Sequence, residues 1–297
     1  MLVVVAIGGH ALRDPRAEAA ADDDAALRSL AGALSEAGAK HHLVITHGSG
    51  PQVGASALEG AEAGSAKPLD RLCAELQGEV GYRLSCALGG RLAGRPVASV
   101  VTQVVVDPAD PSFARPSKPI GPVLDTAAAE RLARRHGWTM GDDRGGRRRL
   151  IASPKPVEVV ELAAVRLLVE AGMVAVCAGG GGIPVVRRAD GTLAGVDAVI
   201  DKDHTASLLA RGIGAEALVF LTDVEAVRSD WPPPKGEWLG RMRPAALRRL
   251  SFAEGSMAPK VAGACDFIEA GGRLAAIGAV AQLPALIDGL AGTVVTN

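Results

Sequence analysis

The chain has 297 residues, of which 48% are hydrophobic and 3% aromatic, and its formal net charge is −1 at pH 7. This length allows one large domain or two modest ones, and the near-neutral charge provides no global basic field that would favour nucleic acid. No apolar run reaches the roughly 18 residues typical of a membrane-spanning helix. The opening run, Leu2 to Ile7, lacks a basic leader and predicts a first strand rather than a signal peptide.

Apolar strands alternate with helical patterns along most of the chain. In chain order, strands are predicted over 2–7, 42–46, 96–106, 173–178, 196–200, 217–221, 274–277 and 293–296. Helices are predicted over 27–38, 69–88, 126–135, 157–171, 203–212, 259–270 and 283–290. This alternation predicts an α/β sandwich with a mainly parallel sheet, in which ligands bind at the carboxyl ends of strands. The proline-rich stretch 108–154, with its basic segment Asp142 to Arg149, predicts an excursion that protrudes from this sheet.

Three predicted strands end in glycine turns: Gly8-Gly9, Gly48-Ser49-Gly50, and Gly179 to Gly182. Glycines leave backbone N–H groups bare and able to approach an anion closely. A tight strand-to-hairpin turn explains any single case equally well, but three together indicate a site lined by backbone donors. Because GxxxxGK[ST] is absent and no GxGxxG follows the first strand, neither a Walker phosphate loop nor a dinucleotide fingerprint is predicted.

Lysine is scarce in this arginine-rich chain, and three lysines stand in unusual settings. Lys118 lies in Pro-Ser-Lys-Pro, Lys202 in Asp-Lys-Asp and Lys260 in Ala-Pro-Lys. Phosphoryl transfer needs compact positive charges of this kind, whereas an ordinary solvated surface position is the alternative for each lysine. Asp203 is interpreted as the cap of the helix that follows it. Lys260, in a predicted first turn, would oppose the helix dipole unless a phosphate lay nearby.

Other candidate chemistries find less support. His10, His47 and His204 lack a zinc spacing such as HExxH, and Ser49 is not in a Gly-x-Ser-x-Gly elbow. Neither a protein-bound metal nor a hydrolase triad is therefore predicted. Asp223 ends a strand and is either a nucleotide contact or a turn residue. The four scattered cysteines form no CxxC pair and predict buried free thiols in a reducing cytoplasm: Cys73, Cys86, Cys177 and Cys265.

Taken together, the motifs resemble the carbamate kinases of the amino-acid kinase family, from Val3 to Val295. The matching stretches are Ala6-Ile7-Gly8-Gly9, Thr46 to Gly54, Thr102 to Asp107, Ser117 to Pro122, Ser153 to Pro156, Gly179 to Val185, Ile200 to Asp203, Leu221 to Val224 and Gly255 to Val261. The stretch around Lys118 resembles the carbamate kinase branch in particular, where the excursion forms a lid-like subdomain.

The resemblance implies a three-layer αβα sandwich that transfers a phosphoryl group reversibly between carbamoyl phosphate and ADP, giving carbamate and ATP. It implies one domain, 1–297, in which residues 1–212 bind the acceptor and carry the excursion 108–154, and residues 213–297 bind the nucleotide. It also implies Mg²⁺ brought in with ATP or ADP, and a homodimer. Charge and hydropathy, rather than the resemblance, predict no nucleic-acid or membrane partner, and the cysteines predict the cytoplasm.

The resemblance assigns roles to particular residues. Lys118, Lys202 and Lys260 would neutralise the phosphoryl group in flight, and Asp203 would orient the lysines. The acceptor and phosphoryl group would contact Gly8, Gly9, His10, Gly48, Ser49 and Gly50, with the glycines donating backbone N–H bonds. The nucleotide would contact Gly180, Gly181, Thr222, Asp223, Met257 and Lys260.

Two positions depart from the family, which usually has asparagine where this chain has His10 and Ser49. Histidine is larger and can be charged, and serine is shorter, so the acceptor contacts differ. The segment 228–239, near the expected nucleotide site, is also shorter and richer in proline than usual. Two alternatives therefore stay open: a kinase of the same fold with another small acid or phosphate as acceptor, and a non-catalytic nucleotide or metabolite sensor.

Overall fold

The structure is a computed structural model that describes residues 1–9, 20–92, 94–143, 145–229, 236–253 and 255–297. Its strands are β1 (Leu2–Ile7), β2 (His42–His47), β3 (Val97–Ser99), β4 (Gln103–Val106), β5 (Lys118–Leu124), β6 (Thr139–Asp143), β7 (Gly146–Ile151), β8 (Pro156–Val159), β9 (Val174–Val176), β10 (Ile183–Arg187), β11 (Leu193–Gly195), β12 (Ala217–Thr222), β13 (Arg241–Met242), β14 (Leu274–Ala279) and β15 (Thr293–Val295). Its helices are α1 (Ala20–Lys40), α2 (Gly50–Glu62), α3 (Leu69–Leu88), α4 (Pro111–Ala114), α5 (Thr126–His136), α6 (Leu162–Glu170), α7 (Lys202–Ile213), α8 (Pro244–Leu247), α9 (Met257–Glu269) and α10 (Leu283–Ile287). Short 3-10 turns occupy Gly179–Gly181 and Val280–Gln282.

Eight strands form the main sheet, in the order β13-β15-β14-β12-β1-β2-β9-β3. Neighbouring strands in it are parallel except for β14 and β15. Helices cover both faces of this sheet. The predicted α/β sandwich with a mainly parallel sheet is confirmed.

The side chains of β1 show how the three layers form. Val3, Val5 and Ile7 enter one buried core with residues of α1, α3 and α10. Val4 and Ala6 enter a second core with residues of α6, α7 and α9. Because successive side chains of a strand point to opposite faces, a strand buried on both sides must be apolar throughout. Burial on both faces therefore explains why the run at the start of the sequence is apolar without a break.

Two smaller sheets stand beside the main one, in the orders β11-β10-β4-β8 and β5-β7-β6. The three-stranded sheet lies within the predicted excursion 108–154 and begins at Lys118. Its residues Ile120 and Ile151 share a third buried cluster with Val53 of α2 and Leu72 of α3. The excursion is therefore packed against the body of the domain near Lys118.

The predicted strand 96–106 is wrong as a single element, because it divides into β3 in the main sheet and β4 in the second sheet. The break falls at Thr102, where the side chain of Gln77 on α3 holds the backbone. Thr102 N–H donates to Gln77 Oε1 at 2.7 Å, and Gln77 Nε2 donates to Thr102 O at 3.1 Å. The apolar pattern of residues 96–106 cannot show that a side chain from another helix binds the backbone at this point.

Other elements differ from prediction for similar reasons. The predicted helix 157–171 begins as β8, which pairs antiparallel with β4, and only then forms α6. The predicted strand 196–200 makes only an isolated bridge, between Ala152 and Ala198. Helix α2 was not predicted because glycines at 50, 54 and 60 interrupt its pattern. Strands β5, β10 and β11, which build the smaller sheets, were also not predicted.

The cysteines fit the prediction at three of four positions. Cys73, Cys177 and Cys265 are buried free thiols, whereas Cys86 is a free thiol exposed on α3. The expectation that all four thiols are buried is wrong at Cys86. Among the described residues, no helix combines the length and apolar character needed to cross a bilayer.

Candidate active site

A cavity of about 430 Å³ opens where β1, β2 and β12 end at their carboxyl edges. Parallel sheets place their ligand sites at this edge. Thirteen predicted site residues line it: Gly8, Gly9, Gly48, Ser49, Gly50, Lys118, Gly180, Lys202, Asp203, Thr222, Asp223, Met257 and Lys260. Gly181 is not in its wall, and His10 lies outside the described residues.

The glycines after β1 and β2 form the floor of the cavity. Gly8 N–H donates to Leu221 O at 3.0 Å, and Gly48 N–H donates to Ile7 O at 2.9 Å. These two N–H groups are committed within the protein, so the expectation that they bind an anion is wrong. A Cβ on Gly48 would lie 2.9 Å from Gly9 N and 3.2 Å from Lys202 Cδ, which explains the need for glycine.

Backbone donors remain at the start of α2. Gly50 is the first residue of this helix, where N–H groups have no intrahelical partner and the helix dipole favours an anion. Ser49 is the N-cap residue, but its hydroxyl makes no capping bond. This buried hydroxyl would lie 2.3 Å from a Cβ on Gly180, so the serine fits directly against the third glycine turn, Gly179 to Gly182.

The glycine turn after β9 is held in a strained form. Ala178 has a φ of 51°, a left-handed conformation that is unfavourable for a residue with a Cβ. Thr46 Oγ1 donates to Ala178 O, and Ala178 N–H donates to Thr102 Oγ1, each at 2.9 Å. Gln77 Nε2 also donates to Gly179 O at 3.0 Å. These bonds fix the turn, and no pattern in the sequence indicates the part that Gln77 plays.

Helix α7 begins at the cavity, one residue after its cap. The cap is Asp201, whose carboxylate accepts from Asp203 N–H at 2.9 Å, so the predicted cap at Asp203 is wrong. Asp203 instead turns inward from the first helical turn and is 3% exposed. The Asp-Lys-Asp motif thus separates two tasks, since its first carboxylate caps the helix and its second enters the site.

Asp203 lies between two lysines at the centre of the site. One carboxylate oxygen pairs with Lys202 Nζ, and the other accepts from Lys260 Nζ at 3.2 Å. Lys260 also donates to Ser256 O at 3.0 Å. Both lysine side chains are 11% exposed, so neither is the solvated surface lysine that was the alternative.

Lys118 reaches the same cavity from β5. Its Nζ lies 3.0 Å from Asp201 Oδ2 and donates to Ile200 O at 3.3 Å. Asp201 was not predicted as a site residue, although it directly precedes Lys202 in the sequence. Three ammonium groups therefore face two carboxylates here, which leaves an excess of one positive charge for an anionic ligand.

Burial and neighbouring charges shift the pKa of several of these groups. Burial lowers the pKa of Lys202, while the attraction of Asp203 opposes this effect. For Asp201, burial acts to raise the pKa, but Lys118 and Lys202 outweigh it and the pKa falls. Burial also lowers the pKa of His47, at the end of β2, to about 4, so its imidazole is neutral at pH 7.

The other half of the cavity is less charged. Thr222 and Asp223 follow β12, with Thr222 Oγ1 donating to Asp223 Oδ1 at 3.0 Å, and Met257 opens α9 opposite them. Arg228 and Trp238 complete this side, with the guanidinium 5.0 Å from the indole centroid. Both lie in the segment 228–239, which was expected near the nucleotide, but neither was predicted as an individual site residue. Such a half-apolar recess suits a flat heterocycle, as π-faces and cations stack well.

Gly181 lies outside the cavity wall, against Ile200 and the start of α7. Its φ is +93°, and a Cβ there would lie 2.4 Å from Ile200 O. Thr205 Oγ1 donates to Gly181 O at 2.9 Å and so ties the glycine turn to α7. In the described portion of the chain, no cluster of three or more His, Cys, Asp or Glu is arranged to hold a metal.

Comparison with known proteins now identifies the class. Residues 1–278 match the model of the amino acid kinase family. The chain therefore belongs to the amino acid kinase family. Within this family, the curated relatives that the chain resembles are carbamate kinases. The carbamate kinase of Rhizobium meliloti strain 1021 is 43% identical over 100% of this chain and 94% of its own length. That of Escherichia coli K12 is 40% identical over 99% of both.

Solved structures agree with this assignment. A protein from Aeropyrum pernix K1 superposes with a TM-score of 0.92 at 37% identity, covering 100% of this chain and 99% of its own. The carbamate kinase of Giardia lamblia bound to AMP-PNP superposes with a TM-score of 0.86 at 31% identity, covering 99% and 98%. An N-acetylglutamate synthase from Neisseria gonorrhoeae, at 16% identity and a TM-score of 0.61, shares the fold alone.

Proposed function

We propose that this protein is a carbamate kinase, which transfers a phosphoryl group reversibly between carbamoyl phosphate and ADP and yields ATP and carbamate, the adduct of ammonia and CO₂. The observation that carries the proposal is the convergence of three lysines on one glycine-lined cavity. The support from similarity is equally direct, because full-length relatives at 38–43% identity are carbamate kinases.

Lys118, Lys202 and Lys260 neutralise the phosphoryl group as it passes between the two substrates. In phosphoryl transfer the protein does little covalent work, and its contribution is positioning and charge stabilisation. Asp203 holds Lys202 and Lys260 through separate oxygens, so both ammonium groups are in place before a substrate binds. The two substrates meet at these lysines, one from each side.

The carbamoyl side is the wall built by Gly8, Gly9, Gly48, Ser49 and Gly50, with His10 next to it in sequence. Gly50, at the α2 N-terminus, donates its N–H to the anion, while Gly8 and Gly48 supply shape. Residues 1–212 thus form the acceptor lobe, with 108–154 as its protruding subdomain.

The nucleotide side is formed by Gly180, Thr222, Asp223 and Met257, backed by Gly181, so the base lies mainly against residues 213–297. The AMP-PNP complex of the Giardia lamblia relative supports nucleotide binding in this fold. Mg²⁺ enters as the nucleotide complex, held by phosphate oxygens and water, as is typical of Mg²⁺ in kinases.

The test is ATP formation from carbamoyl phosphate and MgADP, with acetyl phosphate and N-acetylglutamyl phosphate as competing donors. We expect fast and selective use of carbamoyl phosphate. Selective use of another donor would assign a different acceptor to the same kinase fold. Tight nucleotide binding without turnover of any donor would point to a sensor.

Alanine variants test the roles of the lysines. Lys118→Ala and Lys202→Ala should each lower kcat by about 10³-fold or more, as for other transition-state charge clamps. Lys67→Ala is the matched control, because Lys67 is half-exposed and paired with Glu75 away from the cavity. Near-normal turnover of both site variants would contradict the mechanism.

His10→Asn tests whether the altered acceptor position is tolerated. Restoring the residue usual in the family should keep or raise activity on carbamoyl phosphate. A large loss of activity would mean that His10 serves a different acceptor.

We further propose a cytoplasmic homodimer. Free thiols at all four cysteines support a reducing compartment. Tyr82 on α3 and Val101 after β3 are largely exposed apolar side chains on adjoining elements, which supports a protein contact there. Light scattering of the purified protein tests the dimer, and a monomer at assay concentration would refute it.

A further inference from the structure

Gly54 and Gly121 meet where α2 crosses β5, and the mechanism above assigns them no role. A Cβ built on Gly54 would lie 1.8 Å from Gly121 N and 2.1 Å from Gly121 Cα. From the other side, a Cβ on Gly121 would lie 3.1 Å from the C and O atoms of Gly54, and the φ of Gly121 is +72°. The helix and the strand thus touch through their backbones, a contact we call the glycine seat.

The glycine seat lies close to Lys118 along the same strand, β5. Lys118 is the first residue of β5, three residues before Gly121. Its ammonium group is held on the far side of the cavity by Asp201 and Ile200 O, at 3.0 and 3.3 Å. These partners belong to the start of α7, so Lys118 bridges from β5 to α7 across the site. The reach of that bridge depends on how closely β5 lies to the body of the domain.

The surroundings of the seat are rigid on both sides. Val53 and Ile120, which adjoin the two glycines, are 0% and 1% exposed in the same buried cluster. The guanidinium of Arg148 on β7 donates to Gly121 O from Nε at 2.9 Å and from Nη2 at 2.7 Å. Arg148 also pairs with Asp143 of β6 at 2.9 Å. A displacement of Gly121 would therefore move the strand rather than be absorbed locally.

We infer that the glycine seat is a positioning contact that sets the distance between α2 and β5 and thereby places Lys118 Nζ at the transferring phosphoryl group. Ordinary contact for a Cβ begins near 3.4 Å, so any side chain at 54 separates helix and strand. A misplacement of about 1 Å in a group of the site costs roughly 10²-fold in rate. The test of this inference by kcat rests on the proposed function, whereas its test by chemical labelling of Lys118 does not.

The test compares Gly54→Ala with Gly78→Ala. Both replace a helical glycine with alanine and gain the same helix propensity, but among the described residues, apart from its chain neighbours and the nearby backbone of its own helix, no heavy atom lies within 4 Å of a Cβ at Gly78. Gly54→Ala should lower kcat about 10²-fold and leave the KM for MgADP within about 2-fold, because the nucleotide wall is not built by α2. Gly78→Ala should match the wild type. Wild-type kcat in Gly54→Ala would overturn the inference.

A double-mutant cycle shows whether the glycine acts through the lysine. In a Lys118→Ala background, Gly54→Ala should cost less than about 3-fold, because the group that it positions is already gone. A full additional 10²-fold loss in that background would show that Gly54 supports something else, and would overturn the inference.

Chemical labelling gives a readout that needs no turnover. Lys118 in the native protein is partly buried and paired, so its acylation by acetic anhydride, followed by mass spectrometry, should be slow relative to the half-exposed Lys67. In Gly54→Ala the ratio of Lys118 to Lys67 labelling should rise several-fold, and in Gly78→Ala it should not change. An unchanged ratio in Gly54→Ala overturns the inference, even if the wild type proves inactive on carbamoyl phosphate and the proposed function fails.

Gly121→Ala is the second variant: its Cβ contacts begin at 3.1 Å and are milder, although its φ of +72° adds backbone strain. It should change kcat and labelling in the same direction as Gly54→Ala but less. Loss of the folded state in both variants, judged by circular dichroism, would make the seat a requirement of folding and would overturn the positioning role.

Discussion

Asp203→Asn should destabilise the protein strongly at neutral pH and much less at alkaline pH. The substitution keeps the shape of the side chain but removes the negative charge between Lys202 and Lys260. Lys260 keeps a second acceptor in Ser256 O. Lys202 has its described side-chain hydrogen bond to Asp203 alone and would keep only the longer-range attraction of Asp201, so Lys202 is the buried cation that loses most of its compensation.

The size of the effect follows from two bounds. Removing one partner of a buried ion pair costs about 3–5 kcal/mol. Lys202 can escape this cost by releasing its proton, which from its ordinary pKa of 10.5 costs about 5 kcal/mol at pH 7 and about 2 kcal/mol at pH 9. The loss of stability should therefore be about 3–5 kcal/mol at pH 7 and at most about 2 kcal/mol at pH 9.

Denaturant unfolding at both pH values, without nucleotide or phosphate, measures this difference. Asp266→Asn is the matched control, because Asp266 pairs with Arg248 at a half-exposed site and should cost less than about 1 kcal/mol at either pH. Equal losses in the two variants would refute the reasoning, as would a loss in Asp203→Asn that does not shrink at pH 9.

Two further predictions concern pH. Burial lowers the pKa of Lys202, so kcat/KM should fall as pH rises through a value below 10.5. In Lys202→Arg, whose guanidinium stays charged, this fall should occur at a higher pH, and a fall at an unchanged pH would contradict the role of Lys202. Burial lowers the pKa of His47 from 6.5 to about 4, so the unfolded chain binds a proton that the folded chain refuses as pH falls below 6.5. Stability should drop by up to roughly 3 kcal/mol between pH 6.5 and 4, measured by urea unfolding. His47→Gln should remove most of this dependence, with a smaller part left by His41, whose pKa is also lowered by burial, whereas His42→Gln, at an exposed position of the same strand, should keep it.

The strands of the main sheet were predictable because the pattern that marks each of them lies within a short stretch of sequence. Strands such as β1 and β12 are apolar throughout, and a strand covered on both faces has to be so. The long helix α3 was predictable for the same reason, with Leu69, Leu76 and Leu84 repeating on its buried face. Each of these patterns can be recognised within the sequence of one element.

The errors occur where a distant side chain decides the backbone. Gln77 holds Thr102 in the break between β3 and β4, and no period in residues 96–106 can show a hydrogen bond from the side chain of another helix. Asp201 caps α7 although Asp203 is an equally good capping residue, because the inward position is claimed by two lysines. The donors of Gly8 and Gly48 were misjudged because parallel pairing continues one residue beyond the strands.

The candidate site was predictable to the extent that its chemistry needs rare residue types. A lysine kept in an arginine-rich chain is informative, and all three singled out reach one cavity. The segment 228–239 was expected near the nucleotide, but Trp238 and Arg228 were not predicted as individual contacts, because a lone aromatic or arginine in a loop has no spacing to mark it. The distance that brings Lys118 to the site depends on a contact between two glycines, and glycine is too common to stand out in a sequence.

The pairing of lysines with carboxylates explains how such a site can be stable while empty. Three buried ammonium groups without counterions would release protons or unfold the domain, since an isolated buried charge is costly. Asp201 and Asp203 pair with them and fix their positions, so the desolvation of the lysines is completed when the chain folds. An arriving phosphoryl group then meets donors that need no reorganisation, which is the condition under which charges stabilise a transition state most. The same carboxylates limit the excess to one positive charge, so the site can attract the anion and still release it.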